Sequence, residues 1–208
     1  MNEVLKALQF RHACKKFDTN KEIPDETLNE ILQCGHLSPS SFGMEPWKFL
    51  VIKNNELRQK LRKTCWNQAQ ITDSSHVIVI LDKKDKTKPD TNYVINSFKR
   101  RNLSSENEQA YIKIYKEHYE KEIQPNMSNY AWDSKQCYIA LANLMTAAAA
   151  VGVDSCPIEG FEKSLTEECL NLNKSEYEVV VVLALGYRLE DQTPRLRLNF
   201  DEVFEFIN

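Results

Sequence analysis

The run Val179-Val180-Val181-Val182-Leu183-Ala184-Leu185 decides the fold of this chain. An unbroken apolar run of this length, rich in β-branched valine, is typical of a strand that is buried on both faces. Such a strand lies in the middle of a sheet, and helices cover the sheet on each side. The sequence therefore predicts a domain in which helices surround a small sheet.

The rest of the chain supplies further strands and helices for this domain. Two more strands are predicted, at 47–52 and 77–81. Helices are predicted near residues 4–8, from Pro24 to a point before Pro39, over 55–66 and over 106–123. We expect a single α+β domain over residues 1–208, with a variable polar segment at about 83–130 and a C-terminal extension at about 189–208.

The segment 137–151 predicts a helix that is apolar on nearly every side. Its only strongly polar side chains are Asn143 and Thr146, and four consecutive alanines at 147–150 allow another helix to approach closely. A helix of this kind is buried, either at the centre of the domain or at the seam of a dimer. In a chain of this size the seam is the favoured interpretation.

The composition excludes several classes of protein. With 42% hydrophobic and 27% charged residues, the chain is neither disordered nor membrane-embedded. A net charge of −3 gives no overall attraction to nucleic acid or to an anionic membrane, so we expect neither as a partner. The scattered cysteines and histidines predict no metal site, and the absence of a visible secretion signal predicts a cytoplasmic protein with free thiols.

Arg11 and Lys15 are the first candidate binding residues. They are four positions apart, which would place both on one face where an amphipathic helix ends. A guanidinium and an ammonium group on one side suit a phosphate group. The alternative is a solvated basic helix end that complements the helix dipole.

The sequence lacks the usual motifs of nucleotide binding and of nucleophilic catalysis. With five glycines, it contains no G-x-G-x-x-G and no G-x-x-x-x-G-K-[ST] pattern, which disfavours a Rossmann fold or a P-loop. It has no G-x-S-x-G elbow, and its cysteines and histidines suggest no triad. We therefore expect a bound cofactor to carry the chemistry.

Four blocks of sequence together carry a family resemblance. They are Arg11-His12-x-x-Lys15, Pro39-Ser40-Ser41 with Glu45-Pro46-Trp47, the run Asp154-Ser155-Cys156-Pro157-Ile158-Glu159-Gly160-Phe161, and Pro194-Arg195-Leu196-Arg197. In this order and spacing the chain resembles the nitroreductase family of FMN-dependent NAD(P)H oxidoreductases. Within that family it is similar to the oxygen-insensitive, metronidazole-activating nitroreductases and flavin reductases of bacteria such as Helicobacter and Campylobacter.

The resemblance implies a fold, an activity and a partner. The fold would be a central, mostly antiparallel sheet flanked by helices, in an intertwined homodimer whose C-terminal extension packs on the partner. The activity would be hydride transfer from NADH or NADPH through flavin N5 to nitroaromatics, quinones or flavins, by a ping-pong mechanism. FMN would carry the redox step, and no side chain would be required as a catalytic base.

The resemblance also assigns roles to particular residues. Arg11, His12, Ala13 and Lys15 would hold the FMN phosphate and ribityl chain, together with Arg195 and Arg197. Ser40 and Ser41 would approach the flavin from the dimer partner. The flavin ring would be bonded by Asn67 and Gln70 at its polar edge, and positioned by the loop Pro157, Ile158, Glu159 and Gly160.

The chain departs from the family pattern at three places. Ala13 stands where many members have serine, which removes one phosphate hydrogen bond. Gln70 stands where some members have lysine, which removes a positive charge near the flavin. The segment 106–123 matches poorly, and its Tyr111, Tyr115 and Tyr119 could stack on substrate or equally serve the surface or the core.

Two other functions remain open from the sequence. One is a flavin-sequestering or flavin-sensing protein on the same fold, which would keep the binding residues without the catalysis. The other is an adaptor for nucleic acid or protein that uses Lys99-Arg100-Arg101. The acidic balance of the chain and the lack of aromatic residues among these basic ones argue against the adaptor.

Overall fold

A four-stranded antiparallel sheet lies at the centre of the computed structural model, which describes residues 2–207. Its strands are β1 (Trp47–Ile52), β2 (His76–Asp82), β3 (Asp154–Ile158) and β4 (Glu178–Gly186). They are ordered β1-β2-β4-β3, and every neighbouring pair is antiparallel. The apolar run at 179–185 thus occupies an inner strand, as predicted, and the predicted α+β class is confirmed.

Side chains on the two faces of the sheet build two separate cores. On one face, Ile80 and Leu183 pack against α2 (Asp25–His36) and the long helix α7 (Asn129–Ala150). On the other face, Val79 and Val182 pack with Leu61 of α3 (Asn55–Thr64). Because successive side chains of a strand point to opposite faces of the sheet, the continuous apolar runs of β2 and β4 contribute to both cores.

The remaining helices form the outer layers of the molecule. They are α1 (Glu3–Phe10), α4 (Gln70–Asp73), α5 (Asn92–Lys99), α6 (Ser105–His118), α8 (Lys163–Cys169) and α9 (Phe200–Val203). Polar side chains cap several helix starts: Asn54, Thr91, Ser104 and Ser128 each accept a bond from a backbone N–H of the first turn. Among the described residues, no helix combines the length and apolarity needed to cross a membrane.

The polar segment after β2 contains more ordered structure than the sequence indicated. Helix α5 was not predicted, although Val94 and Phe98 are spaced four apart and both are buried. Tyr115 is fully buried and Tyr119 nearly so, in a third core with Phe98. Tyr115 and Tyr119 therefore belong to the core and are not available to stack on a substrate. Tyr111 stays exposed.

Helix α7 differs on its two sides. Its inner side, which includes Ala140 and Leu144, is buried against the sheet, so this helix is central to the domain. Its outer side exposes Tyr138, Ile139 and Ala150 in the single chain. The helix begins eight residues earlier than position 137, at Asn129, because Ser128 caps it there.

Candidate functional site

A basic cleft forms where the two ends of the chain meet. We use this name for the cleft of about 450 Å³ that is lined by Arg11, His12, Ala13, Lys15, Thr193, Pro194, Arg195, Leu196 and Arg197. Residues 187 positions apart in sequence are joined here, since the Arg195 guanidinium bonds to the carbonyl oxygen of Leu8. The first and fourth sequence blocks, which the family resemblance assigns to one phosphate, therefore line one cleft.

The backbone around Arg11 is not helical, which corrects one prediction. Helix α1 ends at Phe10, and Arg11 has an extended conformation with φ −60° and ψ 134°. Ala13 then forms a parallel bridge with Ser155 of β3. Arg11 and Lys15 do not share a helix face, but both line the basic cleft.

The edge strand β3 holds this extended segment in place. The Cys14 backbone N–H donates to the carbonyl oxygen of Ser155 over 3.0 Å. The Lys15 Nζ lies 3.8 Å from the Cys156 sulfur. These contacts bring the first sequence block beside the third, so the basic cleft adjoins the strand that leads to Glu159 and Gly160.

Arg195 links the C-terminal segment to the end of α1. Its guanidinium donates to the carbonyl oxygens of Leu8 at 2.5 Å, of Gln9 at 3.2 Å and of Arg11. The last carbonyls of a helix have no partner within the helix, and a cation suits them because of the helix dipole. Arg195 therefore positions the cleft as well as adding charge to it.

The cations of the cleft are close enough to repel one another. Burial and then the charges of Arg195 and Arg197 lower the pKa of Arg11, although an arginine stays charged at neutral pH. Burial and then the charges of Arg188 and Arg195 lower the pKa of His12, which favours its neutral form. The site thus offers an excess of positive charge, with His12 as a polar rather than a charged group.

The carboxylate beside the cleft, that of Asp154, forms an ion pair with an arginine. Asp154 is 3% exposed, and its Oδ1 lies 2.6 Å from the Arg188 Nη2. Its Oδ2 also accepts from the Arg188 backbone N–H at 2.9 Å, and Gln192 donates to Oδ1 at 2.8 Å. This pair was not predicted, because nothing in the local sequence shows that residues 34 positions apart would meet.

The structure corrects the prediction that Pro157 to Gly160 form a loop. Pro157 and Ile158 belong to strand β3, in which Ile158 pairs with Val182 and its side chain is buried in the core. Pro157 is tolerated because β3 is an edge strand. The segment that can approach a ligand is therefore Glu159 and Gly160, with Pro157 beside them.

Gly160 is held closely by the loop that follows α3. A Cβ at this position would lie 2.6 Å from the Trp66 ring, and the Gln68 side chain donates to the Gly160 carbonyl over 2.8 Å. Trp66 in turn donates from Nε1 to Glu162 at 2.9 Å. Only glycine fits this position without a shift of its neighbours.

Asn67 and Gln70 lie on that same loop and at the start of α4. Asn67 has a left-handed backbone with φ 55°, and its Oδ1 accepts from the Arg62 Nε at 3.0 Å. Asn67 is exposed, whereas Gln70 is 9% exposed. The two predicted contacts of the flavin edge therefore differ sharply in their accessibility within one chain.

Ser40 and Ser41 lie apart from the basic cleft. The Ser40 hydroxyl accepts from the Glu45 backbone N–H at 2.9 Å, and the Ser41 N–H donates to the Gln136 side chain at 2.8 Å. Both residues therefore stabilise the turn that leads into β1.

The basic triplet at 99–101 is largely engaged within the chain. Arg100 lies 3.4 Å from the Glu45 carboxylate. Arg101 donates to the Phe42 carbonyl at 2.5 Å and stacks over the Phe98 ring at 4.6 Å. These contacts give the triplet a structural role in fixing the turn at 41–43.

Comparison with known proteins agrees with the geometry of the site. Residues 8–187 match the model of the Nitroreductase family. A Haemophilus influenzae protein named "Putative NAD(P)H nitroreductase" is 40% identical, over 99% of this chain and 96% of that protein. The range matched by the family model spans the first three sequence blocks and ends before the fourth.

Two solved structures share the fold. A nitroreductase-like protein of Streptococcus mutans superposes with a TM-score of 0.88 at 20% identity, over all of both chains. A crystal structure from Exiguobacterium sibiricum, described as a "putative nitroreductase in complex with FMN", gives 0.81 at 25% identity, over 99% of this chain and 98% of that one. By its sequence and its fold, this chain belongs to the Nitroreductase family.

Proposed function

We propose that this protein is an FMN-dependent oxidoreductase that uses NADH or NADPH as its reductant. The observation that carries the proposal is the basic cleft, where four cations converge and the neighbouring carboxylate is already paired. A phosphate monoester near its dianionic form would offset the repulsion among these cations. The family membership and the FMN of one solved relative support the same ligand.

The donor set of the cleft fits a phosphate group. Arg11 offers a planar guanidinium, and Lys15 and Arg197 add charge, while Arg195 is largely occupied by carbonyl oxygens. A hydrogen bond to a charged partner contributes about 1.5–3 kcal/mol. Ala13 provides no hydroxyl, so the site relies on charge and on the backbone rather than on a serine contact.

The groups next to the cleft would orient the flavin ring. Glu159 and Gly160 follow directly on β3, and their backbone would lie against the flavin ring. Asn67 would bond the polar edge of the ring, with Gln70 behind it. FMN, when bound, supplies the two-electron redox chemistry; the chain binds it, orients it and excludes water.

The electron donor and the acceptors follow from the relatives and from the family resemblance. The name of the Haemophilus relative includes NAD(P)H, which supports a nicotinamide reductant for this chain. We propose nitroaromatics, quinones or flavins as acceptors, reduced in a second half-reaction after the nicotinamide has left. A shared binding place above the flavin would enforce this ping-pong order.

We further propose that the working form is a homodimer. A groove of about 380 Å³ between α1, α2 and α7 is lined by Val4, Ala7, Leu37, Ala147, Ala150 and their neighbours. The C-terminal segment exposes Leu196 to 87% and Ile207 to 91%. A second copy of the chain would cover these surfaces, and its Ser40 and Ser41 would complete the flavin site.

Anaerobic mixing tests the proposed function. The FMN-loaded protein is mixed with NADH and, separately, with NADPH, while the absorbance of the oxidised flavin is followed. We expect the absorbance to be lost with at least one reductant and to return when a quinone is added. Persistence of the oxidised spectrum with both reductants would indicate a flavin-holding protein, and failure to bind FMN would exclude both functions.

A further inference from the structure

A tyrosine on the outer side of α7 is hydrogen-bonded to the segment that follows β3. The Tyr138 hydroxyl donates to the Glu159 carboxylate. Tyr138 belongs to the side of α7 that does not pack on the sheet, and it is 38% exposed. The bond therefore joins the long central helix to the residue immediately before Gly160.

The chemistry of this pair favours a lasting hydrogen bond. Burial, and then the hydrogen bond with Glu159 and its negative charge, raise the pKa of Tyr138. The hydroxyl thus remains a donor over the whole physiological pH range. Among residues 2–207, no lysine, arginine or histidine forms an ion pair with Glu159, so Tyr138 is its side-chain partner.

The bond fixes the Glu159 side chain, while the Glu159 carbonyl accepts from the Phe161 backbone N–H at 3.0 Å. Ile158 is held by its pairing with Val182, and Gly160 by Gln68 and the Trp66 ring. Glu159 lies between these two fixed points and is exposed. Without the tyrosine hydroxyl, its carboxylate would turn to solvent, and the peptide between Glu159 and Gly160 would keep the Phe161 bond but lose its tether to α7.

We propose that Tyr138 is a positioning residue for the reaction: it acts through Glu159 to fix the backbone of 159–160 against the flavin. This inference rests on the proposed function, because the segment matters for catalysis only if a flavin lies against it. A small misplacement of groups around a reacting centre lowers the rate strongly, up to about 100-fold for 1 Å. Loss of one tether within an otherwise fixed segment should cost about tenfold.

Two hydroxyl deletions on the same helix provide the test. Tyr138→Phe removes the bond to Glu159 and keeps the ring. Tyr130→Phe, the matched control, removes a hydroxyl that donates to the Val179 carbonyl at 3.0 Å. Each FMN-loaded variant is mixed anaerobically with NADH and with NADPH, and the limiting rate of flavin reduction is separated from the reductant concentration at half saturation.

We expect Tyr138→Phe to lower the limiting rate about tenfold and to leave the half-saturating concentration within about twofold. Tyr130→Phe should change the unfolding midpoint and leave the limiting rate within about twofold. If Tyr138 has only a structural role, the unfolding midpoint should change in both variants and the limiting rate of flavin reduction should not fall in Tyr138→Phe.

A double-variant cycle with Glu159→Ala identifies the route of the effect. If Tyr138 acts through Glu159, Glu159→Ala alone should lower the rate to a similar degree, and adding Tyr138→Phe should change it no further. A wild-type rate in Tyr138→Phe, or effects of the two substitutions that multiply, would overturn the proposal while the proposed function stands. If the unaltered protein is reduced by neither nucleotide, both fall together.

Discussion

The interior of the sheet and the C-terminal segment present opposite situations in one molecule. Every residue of β2 is buried, and β4 is buried from Val179 onward. By contrast, residues 193–207 are exposed, including the apolar side chains of Leu198, Phe206 and Ile207. The sheet completes its packing within one chain, whereas the C-terminal segment offers apolar surface that a single chain leaves uncovered.

The buried sheet stabilises the fold, whereas the chain ends form the candidate site. The sheet is stabilised by burial of apolar area, which contributes about 25 cal/mol per Å². The basic cleft is built from charged residues of both chain ends, and the like charges of Arg11, Arg195 and Arg197 repel one another. Substitutions in the two regions should therefore change different measured quantities.

The largest effect is expected from a cavity in the core. Leu144 of α7 is 1% exposed and packs beside Gly35 of α2. Leu144→Ala should lower the free energy of unfolding by about 2–5 kcal/mol, measured by urea denaturation. The control Leu165→Ala changes a leucine that is 53% exposed on α8, and should cost less than about 1 kcal/mol. Equal losses would contradict the account of the core.

The next effect should appear in binding and leave folding unchanged. Arg11→Ala removes one cation from the basic cleft, so the FMN dissociation constant should rise about 10- to 100-fold. The increase should be greatest at low ionic strength, because salt screens the charge that is lost. Lys53→Ala removes an exposed lysine outside the cleft and should leave FMN affinity unchanged. Unchanged affinity in Arg11→Ala would mean that this segment is a solvated basic turn and does not bind the phosphate.

A buried pair of acids connects the sheet with the segment after β2. Asp82 at the end of β2 and Asp133 of α7 are both fully buried. Asp133 accepts bonds from Thr87 at 2.7 Å and Asn129 at 2.6 Å. Burial, and then the negative charge of Asp133, raise the pKa of Asp82. Burial also raises the pKa of Asp133, so the folded pair binds protons more tightly than the unfolded chain does.

This pair predicts a pH dependence of stability. Because the folded state holds the Asp82 proton more tightly than the unfolded state, stability falls as the pH rises above the ordinary carboxyl range. Asp82→Asn does not titrate, so its advantage in unfolding free energy over the unaltered protein should grow between about pH 5 and 8. The slope should not exceed about 1.4 kcal/mol per pH unit. A constant difference between Asp82→Asn and the unaltered protein would refute the raised pKa of Asp82.

The smallest effect is expected where the C-terminal segment begins. Lys16 lies 2.7 Å from Glu190, but both side chains are about 60% exposed. Exposed ion pairs contribute little, so Glu190→Gln should change the free energy of unfolding by less than about 1 kcal/mol. Thermal unfolding at low and high salt would measure it. A loss comparable with that of Leu144→Ala would mean that this segment stabilises the fold as strongly as the sheet does.

The sequence predicted the elements whose patterns are local. The runs at 77–81 and 179–185 identified the inner strands, because a short, continuous apolar run rich in β-branched residues is typical of a strand buried on both faces. The edge strand β3 was missed, since Asp154, Ser155 and Pro157 are residues that strands seldom contain. Helix α5 was missed because it is short and its eight residues are equally divided between apolar and polar types.

The residues of the candidate site stay predictions, and the fold adds how they are arranged. The family resemblance assigned the basic segment and 194–197 to one phosphate, and in the fold both line one cleft. The Asp154–Arg188 pair and the Tyr138–Glu159 bond join residues far apart in sequence. No local pattern encodes such contacts, because they depend on how the sheet places its edges.

The proposed function depends above all on the binding of the FMN phosphate in the basic cleft. Riboflavin has the same ring and ribityl chain without the phosphate, so the affinities for FMN and riboflavin, measured by titration on the same protein, show what the phosphate contributes. FMN should bind at least about 100-fold more tightly than riboflavin, and Arg11→Ala should reduce that ratio substantially. Equal affinities for FMN and riboflavin, or a ratio that Arg11→Ala leaves unchanged, would contradict the account.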